Sequence, residues 1–145
     1  MSTITQHGYL VIADISGYTS FVAQTELEHS HEIISDLLTV VCEKLETLLA
    51  LHKLEGDAVF VYAAEEKIPP GELLADLIES TYTAFRDKQV SMKRGTTCTC
   101  KACQSVPSLD LKIIAHHGDY IIQDVMGMKE MVGSDVNLVH RLLKN

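Results

Sequence analysis

The stretch Gly8-Tyr9-Leu10-Val11-Ile12-Ala13-Asp14-Ile15-Ser16 is a β-rich apolar run closed by small, turn-forming residues, and it reads as a buried strand. Beyond the Ser16-Gly17 turn a helical stretch runs to about Leu49. Ile34, Leu37, Leu38, Val41, Leu45 and Leu48 recur there at spacings of three and four, giving one apolar face, while acidic residues mostly fall elsewhere. Residues 49–54 form a plausible strand, and Asp57-Ala-Val-Phe-Val-Tyr-Ala-Ala64 a clearer one, with Glu55-Gly56 as the tight connection. Pro69-Pro70-Gly71 is a break with a helix start behind it. Leu73, Leu74, Leu77, Ile78 and Phe85 mark that second amphipathic helix, which is expected to end near Asp87.

Residues 88–108 turn Lys- and Thr-rich and hold a cysteine cluster, so a loop or Cys-rich insert is expected at about 91–108. Residues 109–115 and 120–125 read as paired strands joined at His117-Gly118-Asp119. An irregular segment follows over 126–132, and a terminal helix over 134–143. The resulting order, β-α-β-β-α-β-β-α, predicts an α+β sandwich of the ferredoxin-like type spanning 1–145 as one domain.

Composition narrows the function classes. The chain has 145 residues, 46% hydrophobic and 22% charged, which suits a packed soluble core rather than disorder. Twelve basic against twenty acidic side chains give a formal charge of −8, the wrong sign for a nucleic-acid backbone binder. No apolar run approaches the roughly 18 to 20 residues of a membrane span. Met1 to Gly8 lacks the basic and apolar regions of a signal peptide, and Cys98, Cys100 and Cys103 crowd too closely for a disulfide framework. A cytoplasmic location without membrane or nucleic-acid partners is expected.

Asp14, near the end of an apolar strand, must be compensated if buried; it serves equally as a cap for the helix that follows. Asp57 opens a strand after a turn, where Asp needs no special purpose. Together, two carboxylates at the ends of adjacent strands suit hard dications, which take one or two carboxylates plus substrate phosphate oxygens. Gly17-Tyr18-Thr19 leads into a helix, where backbone N–H groups can face phosphate. Asn137 and Arg141, four apart, share a helix face, and Arg clamps a phosphoryl group with forked donors, although a solvated face fits the same spacing. Lys53 can be a snorkelling surface lysine and Glu130 a solvent-exposed acid.

The constellation says more than its members. Asp14-Ile-Ser-Gly-Tyr-Thr19, Lys53-Leu-Glu-Gly-Asp-Ala58, His116-His117-Gly118 and Gly133-Ser-Asp-Val-Asn-Leu-Val-His-Arg141 follow one another in the order found in class III nucleotidyl cyclases. Over roughly residues 8–145 the sequence resembles the catalytic domain of that adenylate and guanylate cyclase family, which implies its ferredoxin-like βαββαβ fold. The resemblance implies that Asp14 and Asp57, with the Ile15 carbonyl as a further ligand, hold two Mg²⁺ or Mn²⁺ ions. It implies that these ions drive in-line displacement of pyrophosphate by the ribose 3′-hydroxyl. Asn137 would position the ribose, and Arg141 would stabilise the developing charge. Gly17, Tyr18 and Thr19 would contact substrate, while Lys53 and Glu130 would read the base as ATP. The implied reaction is ATP to cyclic AMP and pyrophosphate, at sites between the subunits of a homodimer. The alternative is a catalytically inactive nucleotide-binding or regulatory module on the same fold. The family's phosphate-binding lysine, which follows the Asn/Arg helix, has no counterpart within these residues.

The cysteines pose a separate question. Cys98, Cys100 and Cys103 offer three soft ligands for Zn²⁺, with Cys42, His52, His116 or His117 as candidates for the fourth; a redox thiol group and inert loop cysteines are the other readings.

Overall fold

The computed structural model describes residues 4–68 and 72–144. The apolar run from Gly8 lies within β1 (Gln6–Ser16), the middle strand of an antiparallel sheet ordered β2-β3-β1-β4-β5, with β2 Ala50–Glu55, β3 Ala58–Ala64, β4 Asp110–Val125 and β5 Met128–Val132. Flanked on both sides and covered on both faces, β1 can be apolar throughout, and Leu10, Val11 and Ala13 are fully buried. Alternation divides its side chains. Val11, Ala13 and Ile15 join Val59, Val61, Leu37, Val41, Leu45 and Phe85 in one cluster, under α1 (Tyr18–Gln24), α2 (Leu27–Leu45) and α3 (Glu72–Gly95). Leu10 and Ile12 join Phe60, Tyr120, Met131, Val136 and Val139 in a second cluster, under α5 (Ser134–Leu143) and β5. Each such large apolar side chain, once buried, contributes roughly 1.5–3 kcal/mol. The α+β ferredoxin-like sandwich expected from the sequence is the observed fold.

Three local expectations give way. The first helical stretch is two helices, because Thr25 and Glu26 are extended between α1 and α2. The second helix continues past Asp87 to Gly95, and its polar continuation is an anchor rather than a loop. Gln89 is buried, and its Nε2 donates to Val106 O at 2.9 Å and Leu109 O at 2.8 Å, tying α3 to the segment before β4. That segment contains α4 (Lys101–Ser105) and a 3₁₀ turn at Val106–Ser108. The glycine at 118 is not a hairpin. β4 runs unbroken through it, with Gly118 facing Gly8 across the ladder. The chain reverses instead at Met126-Gly127, where φ is +54° and +79°, the paired positive values of a two-residue type I′ turn. The rest of the segment expected to be irregular is β5, paired with the end of β4. The Pro69-Pro70-Gly71 break lies outside the described residues, and α3 starts directly after it.

Candidate functional site

Strand register brings the two aspartates together. Asp14 sits opposite Ala58 on one side and Lys112 on the other, and the Ile15 N–H donates to the Asp57 carbonyl at 2.9 Å. The carboxyl of Asp14 is within hydrogen-bonding reach of the Asp57 carboxylate. Burial first, and then Asp57, pushes the Asp14 carboxyl up to about 7, against the downward pull of the Lys112 ammonium. Lys112 is itself tethered, its Nζ donating to Leu143 O at 2.8 Å at the end of α5. Two neighbouring carboxyl groups form an all-oxygen donor pair, whose repulsion a hard dication would relieve better than a proton does.

The raised carboxyl has a consequence for metal-free protein. Between the ordinary carboxylate range and 7, the folded chain keeps a proton that the unfolded chain has released, so stability falls as pH rises through that window. Asp14 is partly exposed and water-screened, so the loss between pH 4.5 and 7.5 is expected to be on the order of 1 kcal/mol. Urea unfolding in chelator should show this decline, and Asp14→Asn should remove it.

The face that carries Asp14 also carries Lys53, one of the two residues expected to read a base, and a bulge puts it there; Glu130 pairs with Gln123 and alternates with Met131 of the α5-face cluster. Leu51 pairs with Val61 and Lys53 with Phe60, leaving His52 as the extra residue. Lys53 thereby turns to the α5 face together with His52, whose ring packs edge-on to Phe60 at 5.3 Å and Tyr62 at 6.3 Å. Burial lowers the His52 pKa; the Glu130 carboxylate opposes that shift, while Lys53 and His140 add to it. Lys53 and Glu130, from opposite edges of the sheet, thus act on one imidazole with opposite sign, and His140 stands on the same side from α5, 5.2 Å from the Phe60 ring. Lys53 is also ion-paired to Glu55 at 3.2 Å.

Other expected site residues stand apart. Gly17 takes φ +88°, a left-handed value that suits glycine, at the N-cap of α1. The Tyr18 ring packs on the core beneath α2 and its hydroxyl lies over Gly56, while Thr19 is exposed. Asn137 and Arg141 are exposed on α5, and among the described residues neither side chain makes a hydrogen bond or ion pair.

Sequence reasoning missed two groups. Asp135 braces α5 against β4: its Oδ1 lies 2.8 Å from His116 Nε2, and its Oδ2 accepts the Asp119 N–H at 2.9 Å. The Asp119 N–H first, and then His116, hold that carboxyl below its ordinary range. The second group is His29. The fourth member of the cysteine cluster is this histidine near the start of α2, with all four ligand atoms within 4.8 Å of one another, an arrangement that could hold a metal ion such as zinc. The fourth ligands considered from sequence are committed elsewhere, Cys42 to Glu46 at 3.0 Å and His116 to Asp135. A histidine one turn into a helix carries no spacing signal toward cysteines some seventy positions away.

Among solved structures, the chain matches the adenylyl cyclase CyaB of P. aeruginosa with a TM-score of 0.74 at 18% identity, covering 99% of this chain and 74% of that one. It matches the guanylate cyclase domain of RhGC from Catenaria anguillulae, solved in complex with GTP, with a TM-score of 0.66 at 14% identity, covering 98% and 75%. These likenesses establish the fold of class III cyclase catalytic domains. In sequence it is 38% identical over 100 residues to the uncharacterised protein Rv2561/Rv2562 of Mycobacterium tuberculosis, covering 67% of this chain and spanning 45% of that protein's length. Residues 34–145 match the family described as "Protein of unknown function (DUF2652)", and the chain belongs to that family.

Proposed function

We propose that the chain is a nucleotidyl cyclase module that binds ATP with Mg²⁺ or Mn²⁺ and forms cyclic AMP. In that reaction the ribose 3′-oxygen bonds to the α-phosphorus, the bond from that phosphorus to the bridging oxygen breaks, pyrophosphate leaves, and the hydroxyl proton is released. The observation that carries the reading is the meeting of Asp14 and Asp57 at one end of β1 and β3, on a sheet with the cyclase fold. Asp14 and Asp57, with the Ile15 carbonyl, would hold the cations. Bound there, divalent ions would neutralise phosphate charge and ease ionisation of the 3′-hydroxyl. The chain's own residues do the rest. Gly17, Tyr18 and Thr19 offer backbone to the phosphates. Lys53 donates to, and Glu130 accepts from, the adenine edge beside His52. The exposure of Asn137 and Arg141 supports a site completed across a homodimer, where a second copy's Asn137 holds the ribose and its Arg141 meets the developing charge.

Full-length protein incubated with ATP and Mn²⁺ is expected to yield cyclic AMP and pyrophosphate in equal amounts, and chelator should stop it. No product at high enzyme concentration would overturn the reading. The same exposure of α5 favours a second one: chains that stay monomeric would bind nucleotide without turning it over, a regulatory module that calorimetry with ATP and Mn²⁺ would detect. Base choice is testable once turnover is seen. Lys53→Glu with Glu130→Lys inverts the donor and acceptor at both base contacts, and should cut the ATP-to-GTP preference in kcat/KM by about tenfold or more. Unchanged discrimination would remove these positions from base reading.

A further inference from the structure

The cluster at His29 lies outside every residue assigned to the nucleotide, and its geometry is more demanding than chance crowding of thiols. His29 Nδ1 is 3.1 Å from Cys100 Sγ, 3.5 Å from Cys103 Sγ and 3.6 Å from Cys98 Sγ. A tetrahedral zinc with Zn–S of about 2.3 Å and Zn–N of about 2.0–2.1 Å sets N···S edges of about 3.5 Å. The three measured separations fall around that edge length. All four cysteines of the chain are free thiols.

The backbone is arranged as a support for thiolates. The Cys100 N–H points to Cys98 Sγ at 3.5 Å, and the Cys103 N–H points to Cys100 Sγ at 3.4 Å, both donors of the kind that stabilise metal-bound sulfur. Cys100 is the N-cap of α4, so the turn that makes these contacts also starts a helix. A second tie fixes the same turn to the same end of α2. The Glu26 carboxylate, at the α2 N-cap, accepts the Lys101 N–H at 3.2 Å and the Ala102 N–H at 3.0 Å. Ala102, Val106 and Leu109 then enter the main core.

From these contacts we infer that His29, Cys98, Cys100 and Cys103 form a structural Zn²⁺ site that staples the segment between α3 and β4 to the start of α2. Four protein ligands close the coordination sphere, so the site has no open position for substrate or water and its purpose is to hold the fold. The staple sits where the sequence most needs one. The segment between Gly95 and Asp110 has only a five-residue helix and a single 3₁₀ turn of regular structure, yet it must deliver β4 in register opposite β1.

The test uses the whole chain, purified under reducing conditions without added chelator. Elemental analysis should find one zinc per chain, and stripped protein titrated with Co²⁺ should show the intense visible bands and sulfur-to-cobalt charge transfer of a tetrahedral thiolate site. Stripping should lower Tm by about 5 °C or more, with recovery on adding Zn²⁺. His29→Ala should weaken zinc binding roughly 100-fold, while His29→Cys, which keeps a fourth soft ligand, should retain it. Should Cys100→Ser fail to fold, the cobalt spectrum of the native chain still decides the matter. Absence of both zinc and the tetrahedral cobalt spectrum would overturn the site, as would a disulfide among the three cysteines by intact mass. Equal zinc affinity in His29→Ala would overturn the fourth ligand. The outcome is independent of the nucleotide reading, because none of the four residues belongs to that site.

Discussion

Mixing chains that carry Asp14→Ala with chains that carry Arg141→Ala is expected to restore cyclic AMP formation that neither supports alone. The reason is geometric. Asp14 lies on β1 beside Asp57, whereas Arg141 is exposed on α5 and, among the described residues, its side chain makes no hydrogen bond or ion pair. A site completed by a second copy draws its carboxylates from one chain and its asparagine and arginine from the other. Removing the carboxylate deletes a cation ligand, and removing the guanidinium deletes a preorganised charge, so each single variant should lose on the order of 10³-fold in kcat. In a mixed dimer one of the two sites carries both lesions and the other carries none. Random pairing makes half the dimers mixed, and recovery should approach about a quarter of native activity. Asn137→Ala mixed with Arg141→Ala should recover nothing, because both residues come from the same side. Failure of the first mixture, with both variants folded and dimeric, would mean that the site does not span two chains.

The fold was largely legible because its signals were local. An apolar run closed by Ser-Gly, helices with one apolar face, and a Glu-Gly hairpin between two strands each report their own conformation. The α+β order follows from their succession. What could not be read was set by partners remote in sequence. Gln89 looks like the polar end of a helix, yet it is buried because the carbonyls of Val106 and Leu109 come to meet it. Gly118 looks like a turn, yet its lack of a side chain makes room for Asp135 rather than for a reversal. The real reversal uses Met126 at positive φ, a residue type that gives no turn signal.

The candidate site divides in the same way. That Asp14 and Asp57 meet follows from pairing β1 with β3, an adjacency the βαββ order of the ferredoxin-like sandwich implies. That Lys53 faces the same side as Asp14 does not follow from alternation. Counting by twos from Ala50 sends Lys53 to the opposite face, and only the extra residue at His52 restores it. His29 was the hardest to foresee, because a helix that reads as an acidic solvated face gives no hint that one histidine turns toward an insert beyond the next helix.

Gly118→Ala is expected to reduce turnover sharply while leaving the acidic pair untouched. A Cβ at this position would lie 2.5 Å from the Asp135 Cγ and 2.7 Å from its Oδ2, closer than real carbon contacts come. The side chain that must yield is the one holding α5 to β4 through His116 and the Asp119 N–H. Relieving the overlap should cost about 1–3 kcal/mol in unfolding free energy. It also releases the start of the helix that bears Asn137 and Arg141, and a displacement near 1 Å there can cost on the order of 10²-fold in rate. The two causes separate in a double-mutant cycle. The Asp135 Cβ would also stand 2.8 Å from the new methyl, so the background that clears the space is Asp135→Gly. There, adding Gly118→Ala should have little further effect on stability or kcat, and the pair should be strongly non-additive. Additive losses would show that Gly118 acts through backbone freedom, a poor explanation for a residue in the middle of a continuous strand with no positive φ. The cycle therefore reports whether the Asp135 brace, rather than the sheet alone, sets the position of the helix on which the proposed chemistry depends.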